Sequence, residues 1–385
     1  MCSRIFNNRN KNYPTTARNM DWKTQLPTSI FTFKKGLDRI GTGLDDKVKN
    51  PLTWTSLYDT TVAMVVSHGV HATSDGMNSE GLVANLLYDC NANYENKHQQ
   101  PDETYYTLNV LRWAQYVLDT CRSVQEVVNI FDSQARKPSV KVDEKLIKCH
   151  KPIVLMGTKV PGSDAEATLH LSVSDAYSES AVIEVENGEF KVYHNYKNSK
   201  TAHRIMTNEP DFKTQILLNN YWLWQWASEE NKFASKTIPG GPFPADRFQR
   251  ASFYMNHLSS PDNMEESLAQ VRSIAANVSV PIGFNINFKD SPNISPTIWS
   301  TVADQINIRY YFCNARTTDI VWVDLHELQN DYEAAKFDVV TLKKDDKGIE
   351  MPNEDKNFEN FIKKNGSINN LFTKVEEDPF KLLTA

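Results

Sequence analysis

The first twenty-two residues alternate. Cys2-Ser-Arg-Ile-Phe6 and, after an Asn/Lys-rich stretch, Tyr13-Pro-Thr-Thr-Ala-Arg-Asn-Met-Asp-Trp22 set apolar and polar side chains at a period of two. That period predicts two short strands joined by a turn. Cys2 then opens the first strand, and the Arg18–Asp21 end of the second returns to face it. Thr60 to Val70 is a β-rich apolar run, Asp75 to Gly81 reads as a turn-rich link, and Leu82 to Tyr88 as another strand. Over residues 105–133 the period lengthens. Leu108, Leu111, Val117, Leu118, Val124, Val127, Val128 and Phe131 recur at helical spacing without Gly or Pro, which predicts two helices. Ile153–Gly157, Ala167–Val173 and Ala181–Val185 are strand-like, Asp175-Ala-Tyr-Ser turns between the last two, and Lys191–Tyr196 continues the pattern.

Asn208-Glu-Pro210 marks an irregular segment, because Pro removes a donor and restricts its predecessor. Pro239-Gly-Gly-Pro-Phe-Pro244 reads as a loop, followed by helices over Arg247–Leu258 and Met264–Ile274. Strands are expected at Thr297–Val302, Asn307–Asn314 and Ile320–Leu325. The dense run Tyr221-Trp222-Leu-Trp224-Gln-Trp226 fits one face of a strand or a helical Trp222/Trp226 pair. It serves either as a packing seam or as an apolar acyl-chain surface. Grouped strands and grouped helices point to an α+β layered-sheet domain over residues 2–340. Residues 341–385 are rich in Lys, Asp, Glu and Asn and read as a solvated extension, with short amphipathic turns at Phe358, Phe361, Ile362, Leu371 and Phe372.

Composition narrows the function. The chain has 385 residues, 40% hydrophobic and 23% charged, with a net charge of −6, which is globular. The absence of a basic cluster argues against nucleic acid, and the absence of an ~18-residue apolar run argues against a membrane-spanning helix. Asn7-Asn-Arg-Asn-Lys-Asn12 stands where a secretory leader would be apolar. The reading is therefore cytoplasmic as written, or periplasmic if a leader was removed ahead of Met1. Five cysteines form no C-x-x-C pair, and the odd count fits free thiols. Nine histidines show no metal spacing, so no metal and no organic cofactor are expected.

One residue carries candidate chemistry by position. Cys2 directly follows Met1, and removal of Met1 would put a thiol and a free α-amine on one carbon. An α-amine titrates near ~8 and a thiol near ~8.5, so the amine can serve as the base for its own side chain.

Five motifs place this cysteine in context: Cys2 itself, Ala17-Arg-Asn-Met-Asp-Trp22, Asp75-Gly-Met-Asn-x-Glu-Gly-Leu82, Met206-Thr-Asn-x-Pro210 and Pro239-Gly-x-x-x-Pro-x-x-Arg-Phe248. In this order and at these separations the chain resembles, over roughly residues 2–335, the choloylglycine hydrolase family. Its members include penicillin V acylases and conjugated bile salt hydrolases. The resemblance implies the four-layer αββα sandwich of the N-terminal-nucleophile hydrolases and a small-molecule N-acyl amide substrate. Cys2 would form a thioester acyl-enzyme, and Arg18 would favour the thiolate. Asp21 would orient the α-amine. The Asn208 amide would donate to the oxyanion, and Arg247 would lie near the transition state, with Arg250 as its competitor. Tyr88 would supply a backbone N–H to the oxyanion and, with Trp22, would wall the acyl pocket. A Tyr at position 88 favours a flat apolar acyl group over a steroid. The expected substrates are penicillin V first, long-chain acyl homoserine lactones second and conjugated bile salts third. A homotetramer or homodimer is implied as well. Residues 35–58 do not follow the family pattern and are expected to reshape a loop near the site. Two rival readings are a papain-like hydrolase built on Cys149 and a silent binding protein that never exposes Cys2.

Overall fold

The computed structural model describes residues 2–43, 48, 50–95, 105–132, 152–194, 203–227, 237–284, 295–318, 320–328, 332–340, 342–344, 350–352 and 366–382. Cys149, Phe358, Phe361 and Ile362 lie outside these residues.

In chain order the main strands are β1 (Cys2–Asn7), β2 (Thr15–Asp21), β3 (Thr28–Phe33), β4 (Thr60–Ser67), β5 (Val70–Asn78) and β6 (Val83–Tyr88). After them come β7 (Leu169–Ser174), β8 (Ser180–Glu186), β9 (Glu189–His194) and β10 (Ile205–Met206). The last group is β11 (Thr297–Asp304), β12 (Arg309–Asn314), β13 (Ile320–Asp324), β14 (Ala334–Val340), β15 (Gly366–Ser367) and β16 (Thr373–Lys374). The helices are α1 (Trp113–Thr120), α2 (Val124–Phe131), α3 (Phe212–Ala227), α4 (Pro244–His257) and α5 (Met264–Asn277).

Two sheets stack face to face. The first runs β10-β1-β2-β11-β12-β13-β15, and the second runs β9-β8-β7-β6-β5-β4-β3-β14-β16. Helices α4 and α5 cover the outer face of the first sheet, and α1 and α2 cover the outer face of the second. The chain thus has the four-layer αββα architecture. The central strands are buried on both faces because each sheet lies between a helix layer and the other sheet; β1 and β2 are buried along their whole lengths.

Local chemistry sets the helix starts. The Ser123 hydroxyl accepts from the Glu126 N–H (3.3 Å) while the Glu126 carboxylate accepts from the Arg122 N–H (2.8 Å). Asn263 and Glu266 repeat this reciprocal cap at α5. Pro244 opens α4, where a missing N–H costs nothing.

Several expectations change. Asp75 to Asn78 is strand, not link: the chain turns at His68-Gly69 (φ 51° and 78°) and again after Asn78. Asn78 Oδ1 makes that second turn by accepting from the Glu80 and Leu82 N–H groups. The 105–133 segment begins as a strand, Tyr106–Asn109, before α1 and α2. The Trp cluster is helical, with Trp222 and Trp226 stacked at 6.0 Å. Residues 366–382 are not a solvated appendage: Ile368 and Phe380 are fully buried, and β15 and β16 extend both sheets. The described part of 35–58 packs against this C-terminal segment and α1, and none of it lines the site pocket.

Candidate active site

The site forms at one end of β1, where both faces of the first sheet are in use. Paired residues of an antiparallel ladder share a face, and neighbours along a strand alternate. Cys2 pairs with Met20 and Arg4 with Arg18, so these four side chains point inward to the second sheet. Ser3, Asn19 and Asp21 point outward to the helices. The contacts agree: Arg18 reaches the Leu86 carbonyl of β6, while Asn19 donates to the Ala275 carbonyl of α5.

On the inner face the Cys2 Sγ lies 3.6 Å from Arg18 Nη2 and 3.7 Å from Met20 Sδ. Arg18 is fixed from several sides. Its Nη2 donates to Leu86 O at 2.9 Å, its Nη1 lies 4.0 Å from Asp75 Oδ2, and its guanidinium covers the Trp299 ring at 4.5 Å. Asp75 is wholly buried and accepts from Asn85, Thr301 and Tyr310. Burial pushes its carboxyl above the usual range, and Arg18 is the main opposing influence.

On the outer face Asp21 accepts from the Thr297 hydroxyl at 2.6 Å and lies 3.6 Å from Arg247 Nη1. Burial raises the Asp21 carboxyl, with Arg247 pulling it back most. Burial in turn lowers the Arg247 guanidinium, opposed first by Asp21. Arg247 is the hub of this side. It donates to the Cys2 carbonyl (2.7 Å), the Ser3 hydroxyl, the Pro242 carbonyl (2.9 Å) and Asn208 Oδ1 (2.9 Å).

Asn208 arrives by strand register. Arg4 faces Met206 and Ile5 faces Ile205, and continuing that register sets Asn208 opposite Cys2. The Cys2 backbone nitrogen donates to Asn208 Oδ1 at 2.8 Å. With its oxygen held by Cys2 and Arg247, the Asn208 Nδ2 must point away from both, and it donates to the Tyr88 carbonyl at 2.7 Å. This departs from an amide aimed wholly at substrate. An Asn amide carries two hydrogens, so one remains for a second acceptor.

Tyr88 completes this corner. The Asp89 N–H donates to Thr168 O, which makes the facing pair Tyr88/Leu169 a non-hydrogen-bonded one. The Tyr88 N–H and C=O therefore face away from β7. The ladder between β5 and β6 ends at Asp75/Asn85, so that side of β6 is open at Tyr88. Along it Arg18 takes the Leu86 carbonyl and Asn208 takes the Tyr88 carbonyl, with the Tyr88 N–H between them. Beside the thiol lies a predominantly apolar pocket, whose walls include Trp22, Leu26, Val65, Tyr88, Leu111 and Leu169. Trp22 and Tyr88 meet edge to face at 5.9 Å.

The structure thus brings together all seven residues expected at the site: Cys2, Arg18, Asp21, Trp22, Tyr88, Asn208 and Arg247. Arg250 is not among them; it ties the Pro239, Gly241 and Asn277 carbonyls together. Met20, Asp75 and Leu86 were not anticipated. Met20 was legible from its two-residue spacing to Arg18, whereas Asp75 and Leu86 depend on how the two sheets face each other.

These features define an αββα sandwich with a buried cysteine lining an apolar pocket. The family model for linear amide C–N hydrolases of the choloylglycine hydrolase family matches residues 2–338, and the chain belongs to that family. The chain is 33% identical over 348 residues to a penicillin V acylase of Pectobacterium atrosepticum, covering 86% of this chain and 82% of that one. A penicillin V acylase structure from Agrobacterium tumefaciens superposes with a TM-score of 0.73 at 31% identity, covering 100% of both chains. A conjugated bile acid hydrolase structure from Clostridium perfringens shares the fold, with a TM-score of 0.65 at 18% identity over 85% of this chain and 93% of that one. The protein is an amidase acting on linear amides. Among the described residues, no helix is long and apolar enough to cross a membrane.

Proposed function

We propose that this chain, after removal of Met1, hydrolyses N-acyl amides with a flat apolar acyl group, of which penicillin V is the model, and that Cys2 is the nucleophile. The Cys2 Sγ attacks the amide carbonyl carbon, and its own α-amine takes the thiol proton. The oxyanion accepts from the second hydrogen of Asn208 Nδ2 and from the Tyr88 N–H. As the C–N bond breaks, the α-amine returns the proton to the leaving nitrogen. Water then attacks the thioester, releasing the acid and restoring the thiol. Arg18 holds positive charge beside the sulfur, and Asp21 and Arg247 hold the α-amine and Asn208 in register.

The observation that carries this reading is the convergence of Cys2 and Asn208 on the open edge of β6 at Tyr88, beside a pocket walled by Trp22 and Tyr88. The two penicillin V acylases at 33% and 31% identity support the acyl preference. The aliphatic walls at Leu26, Val65 and Leu111 favour long-chain acyl homoserine lactones as second substrates.

A hydrolysis panel of penicillin V, a long-chain acyl homoserine lactone and glycocholate tests the order. The highest kcat/KM is expected for penicillin V, and a preference for glycocholate overturns the acyl assignment. Cys2→Ser should nearly abolish turnover, and Asn208→Ala should lower kcat by roughly 10²-fold. Retention of full activity by either variant overturns its assigned role. Assembly as a homodimer or homotetramer belongs to the same proposal, with sedimentation velocity as its measurement.

A further inference from the structure

Directly behind Tyr88 and Asn208 lies a buried group that the chemistry above does not use. Asp89 follows Tyr88, Thr207 precedes Asn208, and His170 on β7 spans the two. Its Nε2 lies 2.9 Å from the Thr207 carbonyl, while its Nδ1 lies 3.9 Å from Asp89 Oδ2 and 3.7 Å from Glu184 Oε1. All three side chains are buried, with His170 only 1% exposed.

The geometry fixes the ring. A carbonyl only accepts, so Nε2 must carry a hydrogen. Nδ1 then faces two carboxylates that are already anchored: Asp89 Oδ1 accepts from the Asn91 N–H at 2.9 Å, and Glu184 Oε1 accepts from the Phe212 N–H at 2.7 Å. Burial alone would lower the imidazole's affinity for its second proton, but Glu184 and Asp89 outweigh it and raise it. The Thr207–Pro210 segment is also held from α3, where Gln215 accepts from the Thr207 hydroxyl and donates to the Asn208 and Pro210 carbonyls, and from α4, where the Pro244 carbonyl accepts from the same hydroxyl and Arg247 donates to Asn208 Oδ1.

We propose that His170 is a positioning residue for the amide hydrolysis: its Nε2–H holds the Thr207 carbonyl and so sets the direction of Asn208, while Asp89 and Glu184 hold the ring in place. This rests on the reading of Asn208 as an oxyanion donor. Losing His170 therefore acts through Asn208 and lowers kcat more than it raises KM.

Penicillin V hydrolysis by His170→Leu, His170→Gln, Asn208→Ala and the His170→Leu/Asn208→Ala double variant tests it. His170→Leu should lower kcat by about 10–100-fold, within the loss from one oxyanion donor, with KM changed less than about twofold. His170→Gln, whose amide can donate to the same carbonyl, should recover most of that loss. In the Asn208→Ala background His170→Leu should cost less than about twofold, because coupled residues are non-additive. The same factor in both backgrounds overturns the proposal, as does a folded His170→Gln with no recovered turnover. If His170→Leu does not fold, Asp89→Asn replaces it with the same expected loss and the same coupling to Asn208. The three ligand-type atoms lie within 4.8 Å of one another, so a divalent cation is the competing occupant. One equivalent of metal in dialysed wild-type protein, lost in Glu184→Gln, overturns the positioning role in favour of a metal site. Full activity of Asn208→Ala would overturn the oxyanion reading itself, whatever His170 does.

Discussion

Arg247 shows how much of this site rests on one fork. Its guanidinium spans the Cys2 carbonyl, the Ser3 hydroxyl and Asn208 Oδ1, so it fixes the backbone of the proposed nucleophile and the proposed oxyanion donor together. Lysine is a point charge and cannot reproduce that span. Arg247→Lys should lower kcat for penicillin V by about 10²-fold, comparable to loss of an oxyanion donor, with a smaller change in KM. Arg250→Lys loosens only carbonyl contacts in the 239–241 loop and at Asn277 and should stay within a few-fold of wild type. Equal losses in the two variants would move the hub away from Arg247. A second residue-level effect concerns acid stability. Burial, reinforced by His194, Arg4 and Arg204, lowers His203 from 6.5 to about 4. Between those values the unfolded chain binds more protons than the folded one, so stability present above pH 6.5 is lost as pH falls toward 4. The loss approaches ~2–3 kcal/mol, and His203→Gln should flatten that limb in urea unfolding from pH 6.5 to 4.5. His170, raised in the folded state, acts in the opposite sense: its contribution is complete below 6.5 and fades as pH rises through its folded value.

At the scale of elements, β5 explains what the sequence concealed. Asp75-Gly-Met-Asn has turn composition, yet it is a central strand. Gly76 is there for close approach, since a Cβ would lie 2.5 Å from Val62 Cγ1 and 2.7 Å from the Thr61 carbonyl. Gly76→Ala must push β4 and β5 apart. It should cost about 1–3 kcal/mol in chemical unfolding, as overpacking does, and should also slow turnover, because Asp75 next to it holds Arg18. Wild-type stability in this variant would show that β5 can shift freely. The hairpin of β1 and β2 was legible because two short runs of mixed apolar and polar residues flank a polar turn, and with it came the facing of Cys2 and Arg18. The four-layer class was legible through the motif resemblance. Tyr106–Asn109 was not, because Leu108 and Leu111 fit a helical period as well as they fit a strand running into a helix. The pairing of Asn208 with Cys2 is a register fact, and a ladder between residues two hundred apart leaves no local trace. The Trp run was ambiguous for a related reason: Trp222, Trp224 and Trp226 satisfy both periods, and only the stacking of Trp222 on Trp226 decides.

At the scale of the molecule, residues 366–382 pack onto the edges of both sheets rather than trailing from them. Arg39, fully buried, donates to Asp119 at 2.7 Å and to Asp378 at 2.7 Å, and its guanidinium covers the Phe33 ring at 4.2 Å. Phe380 is buried beside it, and the Ile40 N–H donates to its carbonyl at 3.0 Å. Composition could not reveal this, because a charged segment with a few apolar residues looks solvated until a buried arginine elsewhere needs its carboxylate. Removing one partner of a buried pair costs roughly 3–5 kcal/mol when a charge is left alone. Arg39→Met strands Asp119 and should approach that range. Asp378→Ala leaves Arg39 its bond to Asp119 and should cost about half as much. None of these residues lines the pocket beside Cys2. Both variants should therefore unfold at lower urea while keeping wild-type kcat/KM for penicillin V once activity is normalised to folded protein. A kcat/KM that falls in step with stability would mean that the C-terminal clamp reaches the proposed catalytic edge of β6 through the second sheet, and that closing the sheet and building the site are one task.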